Sequence, residues 1–205
     1  MKSIEVFMPF VTPFARGVAL PAAFHSIRQA AREFCERTRL WRGGDSFQVQ
    51  PEQCSSISVP YGAELFEIER VDFNGEPLER VSVQWLDDKY PNWMTDQSGS
   101  PSFVTQLAPS TLAVVPAASG CVTTRLVLKP DNETMELPDF LFDKHARTIA
   151  FGALSDLLML PGQPFTSPQL SQVYQAKFDS KLDRLSGINV SGEQRALLRT
   201  KAQFF

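Results

Sequence analysis

The sequence predicts an α+β protein: an antiparallel helical bundle as base, an inserted antiparallel β-rich lobe, and an extended C-terminal tail. Three observations predict it. Apolar residues recur at helical spacing over 21–42, and again over 138–160 and 167–186. From 46 to 130 the pattern changes to short alternating runs separated by turn residues. Helices so distant in the chain each need an apolar partner, so they are expected to pack on one another. The expected division is therefore 1–45 with 131–187 as helical base, 46–130 as lobe and 188–205 as tail.

The first element, Ile4 to Val11, is apolar with Pro9 inside it and reads as an edge strand or extended arm. Thr12 to Leu20 reads as a loop. Pro21 opens the first helix, where a missing N–H costs nothing. Phe24, Ile27, Ala31, Phe34, Cys35 and Thr38 share one face, Trp41 continues the stripe, and Gly43-Gly44 is expected to stop the helix.

In the lobe, Ser55 to Val59 reads as a short strand. Leu65 to Val71 and Val81 to Trp85 flank Asn74-Gly75, a strong hairpin dipeptide. Asp87 to Trp93 reads as an irregular or helical turn. Phe103 to Leu107, Leu112 to Val115 and Val122 to Lys129 complete an expected antiparallel sheet or small sandwich.

The second helix starts at Leu137-Pro138. Phe142, Ala146, Ile149, Ala153, Leu157 and Leu160 line one face, and Phe151, Leu154 and Leu158 another, so this helix is expected at the centre. Gly152 in mid-helix implies close approach of a neighbour, since it costs about 1 kcal/mol relative to alanine. Ser167-Pro168 starts the third helix, with Leu170, Val173, Tyr174, Phe178, Leu182 and Leu185 as its stripe and Gly187 as its end. The expected bundle core is Phe24, Ile27, Phe34, Phe151, Leu154, Leu157 and Phe178.

The net charge of −3 argues for neither nucleic-acid nor membrane binding. No stretch has the apolar length of a transmembrane helix. Glu5 and Pro9 interrupt what a signal peptide would need, and no membrane contact is expected. Cys35, Cys54 and Cys121 form no CxxC pair and read as thiols of a reduced, intracellular setting. His25 and His145 lie in no metal-type spacing. Gly-x-Ser-x-Gly, a phosphate-cradling loop and a dinucleotide fingerprint are absent. Asp87-Asp88 and Asp131 with Glu133 read as turn carboxylates. No cofactor, metal or catalytic centre is expected.

The first helix is net positive: Arg28, Arg32, Arg37, Arg39 and Arg42 outnumber Glu33 and Glu36. A solvated face with i,i+4 pairs explains this most simply. The functional alternative makes Arg28, Arg32 and Arg39 inter-subunit contacts that reach a neighbour's carboxylates. The segment Ile188 to Phe205 is too polar to fold alone and is expected to order on a partner. Its docking residues would be Arg195, Leu197, Leu198, Arg199, Lys201, Phe204 and Phe205.

Two stretches stand out together. Ala30-Ala-Arg-Glu-Phe-Cys-Glu-Arg-Thr38 follows the pattern Ala-Ala-x-Glu-Phe-Cys-x-x-Thr. Gly152-Ala-Leu-Ser-Asp-Leu157, followed by Pro161-Gly-Gln-Pro-Phe165, follows Gly-Ala-Leu-x-x-Leu and Pro-Gly-x-Pro-Phe/Trp. In this order they resemble the tailed-bacteriophage head-to-tail adaptor proteins, also called connector or head-completion proteins. The resemblance implies a structural virion protein at the head-tail junction, made in the host cytoplasm. It implies a ring, commonly a dodecamer, joining portal to tail and continuing the DNA channel. The tail would run onto the portal protein and the β-rich lobe would meet tail nozzle or fibre proteins. Genomic DNA would pass through the lumen without specific binding. A phage tail-tube or tail-terminator subunit, and a small enzyme of another type, are the alternatives.

Overall fold

The computed structural model of the chain describes residues 1–51 and 55–191. The protein is mixed α+β, with mostly antiparallel sheets. In chain order, β1 (Lys2–Ser3), a 3-10 helix (Ile4–Phe7), α1 (Met8–Val11) and α2 (Leu20–Thr38) come first. Then come β2 (Arg42–Val49), β3 (Ser55–Ser56), β4 (Ala63–Phe73), β5 (Glu76–Pro77), β6 (Glu79–Arg80), α3 (Val83–Lys89), β7 (Phe103–Thr105), β8 (Thr111–Val115) and β9 (Gly120–Pro130). The series ends with β10 (Glu136–Leu137), α4 (Asp139–Leu157) and α5 (Pro168–Ser191). Contacts divide the chain into two compact units: Met1–Leu40 together with the chain from Pro130 onward, and Trp41–Lys129.

In the first unit α2, α4 and α5 pack on one another. α4 buries Leu141, Ile149, Ala153, Leu154 and Leu157 together with the small Ala146, Ala150, Gly152 and Ser155, so it is covered on several sides. α2 contributes Ile27, Ala31, Phe34 and Cys35, at the 3- and 4-residue spacing that puts them on one face. Burial pushes the Cys35 thiol up, so it stays protonated. α5 contributes Tyr174, Phe178 and Leu182.

Several boundaries differ from expectation. Ile4 to Val11 is helical, not a strand or arm. Ser3 caps it, its hydroxyl accepting the Glu5 N–H at 3.3 Å, and Ile4, Phe7 and Val11 are buried at helical spacing. Pro9 sits at the start of α1, where it is tolerated. α2 ends at Thr38, not at Gly43-Gly44. Arg39 takes the left-handed conformation at φ 53°, and its N–H closes on the Cys35 carbonyl at 2.8 Å. The two glycines lie inside β2. α4 stops at Leu157, leaving Leu160 exposed. α5 does not stop at Gly187 but runs to Ser191, since a glycine weakens a helix without ending it. Residues 192–205, with most of the expected docking tail, lie outside the described residues.

The second unit holds two four-stranded sheets, ordered β2-β9-β4-β5 and β3-β8-β7-β6. β6 and β7 pair parallel. β2 pairs antiparallel with β9 from Arg42↔Val127 to Val49↔Gly120. In β9, Val122, Thr124, Leu126 and Leu128 are buried while Thr123 and Arg125 are exposed. The hairpin turn lies at Asn74-Gly75, both at positive φ (48° and 91°), and joins β4 to β5. Its second strand is not Val81 to Trp85. Ser82 caps α3 instead, its Oγ accepting the Trp85 N–H at 3.1 Å. Val81, Val83 and Trp85 pack around Leu86, Trp93 and Val115. A good cap and an apolar helical face there outweighed a short alternation.

Candidate assembly surface

The arginines of α2 divide into two groups. Arg28 donates through Nε to the Thr134 carbonyl at 2.9 Å and through Nη1 to the Asn132 carbonyl at 2.8 Å. Arg32 donates to the Pro130 carbonyl at 2.5 Å. Both therefore clamp the loop before β10 within the chain. In that loop the Asp131 carboxylate accepts the N–H groups of Glu133 and Thr134, a turn role. Arg39 is exposed at the end of α2.

Arg37 binds across the helices. It reaches Asp179 at 2.5 Å and Asp183 at 2.7 Å on α5, and Glu33 at 3.6 Å on its own helix. The sequence held a signal for this: Asp179 and Asp183 are four apart and share one face of α5.

Next to this network lies an open groove of about 300 Å3, lined by the carboxylates Glu33, Glu36 and Asp156, by Arg32, and by Gln29 and Gln175. Burial raises the Glu33 carboxyl above its ordinary value, with Arg37 opposing. Burial likewise raises Asp156, with His25 opposing. A raised carboxyl adds stability while it is protonated and loses it as pH rises through the folded value. Asp156→Asn is therefore expected to stabilise the monomer at neutral pH. The gain should vanish below the ordinary aspartate value of 3.8. Urea unfolding on either side of that pH checks it.

A second surface lies on another side of α5. Tyr174 stacks on Phe151, with centroids 5.7 Å apart, and meets Phe14 edge-on, also at 5.7 Å. The Lys177 ammonium sits 5.3 Å from the Tyr174 ring and 5.7 Å from the Phe151 ring. Phe14, Leu170 and Val173 are each about half exposed (53%, 49% and 47%). The expected α5 stripe thus splits: Tyr174, Phe178 and Leu182 go inward, and Leu170 and Val173 stay outside.

Of the expected core residues, Ile27, Phe34, Leu154, Leu157 and Phe178 are fully buried. Phe24 and Phe151 are only half-buried, because the Phe151 ring lies under Lys177 at the surface. Arg195, Leu197, Leu198, Arg199, Lys201, Phe204 and Phe205 lie outside the described residues. His25 is exposed, and His145 is buried with its ring 4.7 Å from Phe34. Among the described residues, no three His, Cys, Asp or Glu side chains come together in a way that could hold a metal. In the second unit a pocket of about 260 Å3 is lined by Val49, Trp93, Met94, Leu107 and Leu112 among others.

The arrangement is one of packing, ion pairs and open surface. A family model described as SU10 adaptor protein matches residues 17–200, taking in both units. No curated protein matches the chain.

Proposed function

We propose, from the premise that the chain belongs to the SU10 adaptor protein family, that it is the ring subunit that joins a phage portal to its tail. Membership makes it a structural adaptor of a phage, a virion component at the head-tail junction that meets other head and tail proteins. The proposal adds a closed ring of copies, commonly twelve, built on the helical unit. The ring continues the DNA channel, and the β-rich unit faces nozzle or fibre proteins. The observation that carries this reading is the family match across 17–200, which takes in α2, the β-rich unit, α4 and α5.

The portal is the partner proposed for the C-terminal segment. Leu197, Leu198, Phe204 and Phe205 supply apolar area, and Arg195, Arg199 and Lys201 supply charge. Burying four such side chains contributes about 1.5–3 kcal/mol each. Ordering the chain offsets most of that. One segment would bind weakly, and a ring of them would bind tightly through avidity.

Deletion of residues 192–205 tests the portal contact. The truncated protein is expected to keep its thermal melt and helical circular dichroism and to lose co-sedimentation with portal rings. Unchanged docking would remove the segment from the proposal.

A further inference from the structure

Helix α5 carries two unlike surfaces. Gln175 lines the acidic groove, while Lys177 caps the aromatic ridge. Two residues apart on a helix means about 200° of rotation, so the two features face away from each other. Lys177 has no carboxylate partner among the described residues. Its ammonium rests over two rings, which holds it in one region of space. Apart from an electrostatic interaction with His25, Asp156 makes no hydrogen bond or ion pair among the described residues, and it lines the groove. One surface thus offers an oriented cation with no carboxylate partner, and the other a carboxylate that makes no ion pair, in a groove where three carboxylates outnumber the one arginine, Arg32.

We propose that these surfaces bind each other between copies: the ridge of one copy seats on the groove of the next, with Lys177 entering the groove toward Asp156. This rests on the ring reading above. The pairing is heterologous, because the two patches face away from each other and cannot both meet one partner across a two-fold axis, and a repeated heterologous contact closes into a ring when its rotation closes. Charge complementarity sets the register. Leu170, Val173 and Phe14, half exposed beside Tyr174, form an apolar margin that excludes water from the ion pair and strengthens it. A self-complementary two-fold dimer would instead bring ridge to ridge and place Lys177 against Lys177.

The test uses the full chain, measured by native mass spectrometry alone and with portal rings. The wild type is expected to assemble into one closed species. Lys177→Glu and Asp156→Lys are each expected to weaken assembly by at least about tenfold while remaining folded by circular dichroism. The double variant Lys177→Glu/Asp156→Lys is expected to restore it, because the pair is then reversed at every contact. Single variants that assemble like wild type would overturn this interface and leave the ring reading standing. Folded single variants that fail, with no rescue in the double variant, would overturn the pairing of these two residues. A wild type that stays monomeric both alone and with portal rings would overturn the ring reading, and this interface with it.

Discussion

Phe178→Ala is expected to lower the stability of the helical unit by about 3–5 kcal/mol. Phe178 is fully buried on α5, and its ring lies directly over Gly152 of α4. A Cβ built at Gly152 would come 2.9–3.0 Å from the ring atoms, so the ring fills the space that the glycine leaves bare. Removing it opens a cavity between two rigid helices that cannot close over it. Phe151→Ala is the control. That ring is half-buried beneath Lys177, so its loss should cost distinctly less. Urea unfolding of both variants decides the matter. Equal losses would mean that Phe151, too, is a core residue.

Gly152→Val is expected to cost about 3 kcal/mol or more. The sign is not obvious from helix propensity, since replacing a mid-helix glycine gains up to about 1 kcal/mol for alanine. Space decides it. The new Cβ would stand 2.9 Å from the Ala30 Cβ as well as against the Phe178 ring, and the alanine methyl has no freedom to move aside. Overpacking therefore outweighs propensity, and Gly152→Ala should already be a net loss, smaller than that of valine. The same geometry predicts coupling. In the Phe178→Ala background the Gly152→Ala penalty should shrink, because half of the obstruction is gone. Strictly additive losses in thermal or urea unfolding would show that the two positions do not share this contact.

Helical stretches with long apolar periodicity were legible in the sequence. α2, α4 and α5 each span at least nineteen residues, and spacing alone placed most of their buried residues on one face. Short apolar runs were not legible. Ile4 to Val11 and Val81 to Trp85 are compatible with either period over so few residues. A cap at Ser3 and another at Ser82 turned both into helix. The end of α2 was misplaced because Gly43-Gly44 looked like a stop, whereas Arg39 had already taken the left-handed turn.

The class of elements, the change from helical to alternating pattern by residue 46, the turn at Asn74-Gly75 and a motif pair resembling the adaptor family could all be read from the sequence. These are local properties, written in residues a few positions apart. Where the charges go was settled by packing between distant parts of the chain. It sent Arg28 and Arg32 to carbonyls about a hundred residues away, and Arg37 to two aspartates on α5. It left Lys177 over two rings and Asp156 in an open groove. It also decided which half of the α5 stripe is core. Periodicity tells which residues share a face of a helix, but the width of the neighbouring helix decides how much of that face is covered. Around Gly152, the close approach of α2 and α5 covers Phe178 and leaves Leu170 and Val173 beyond its edge.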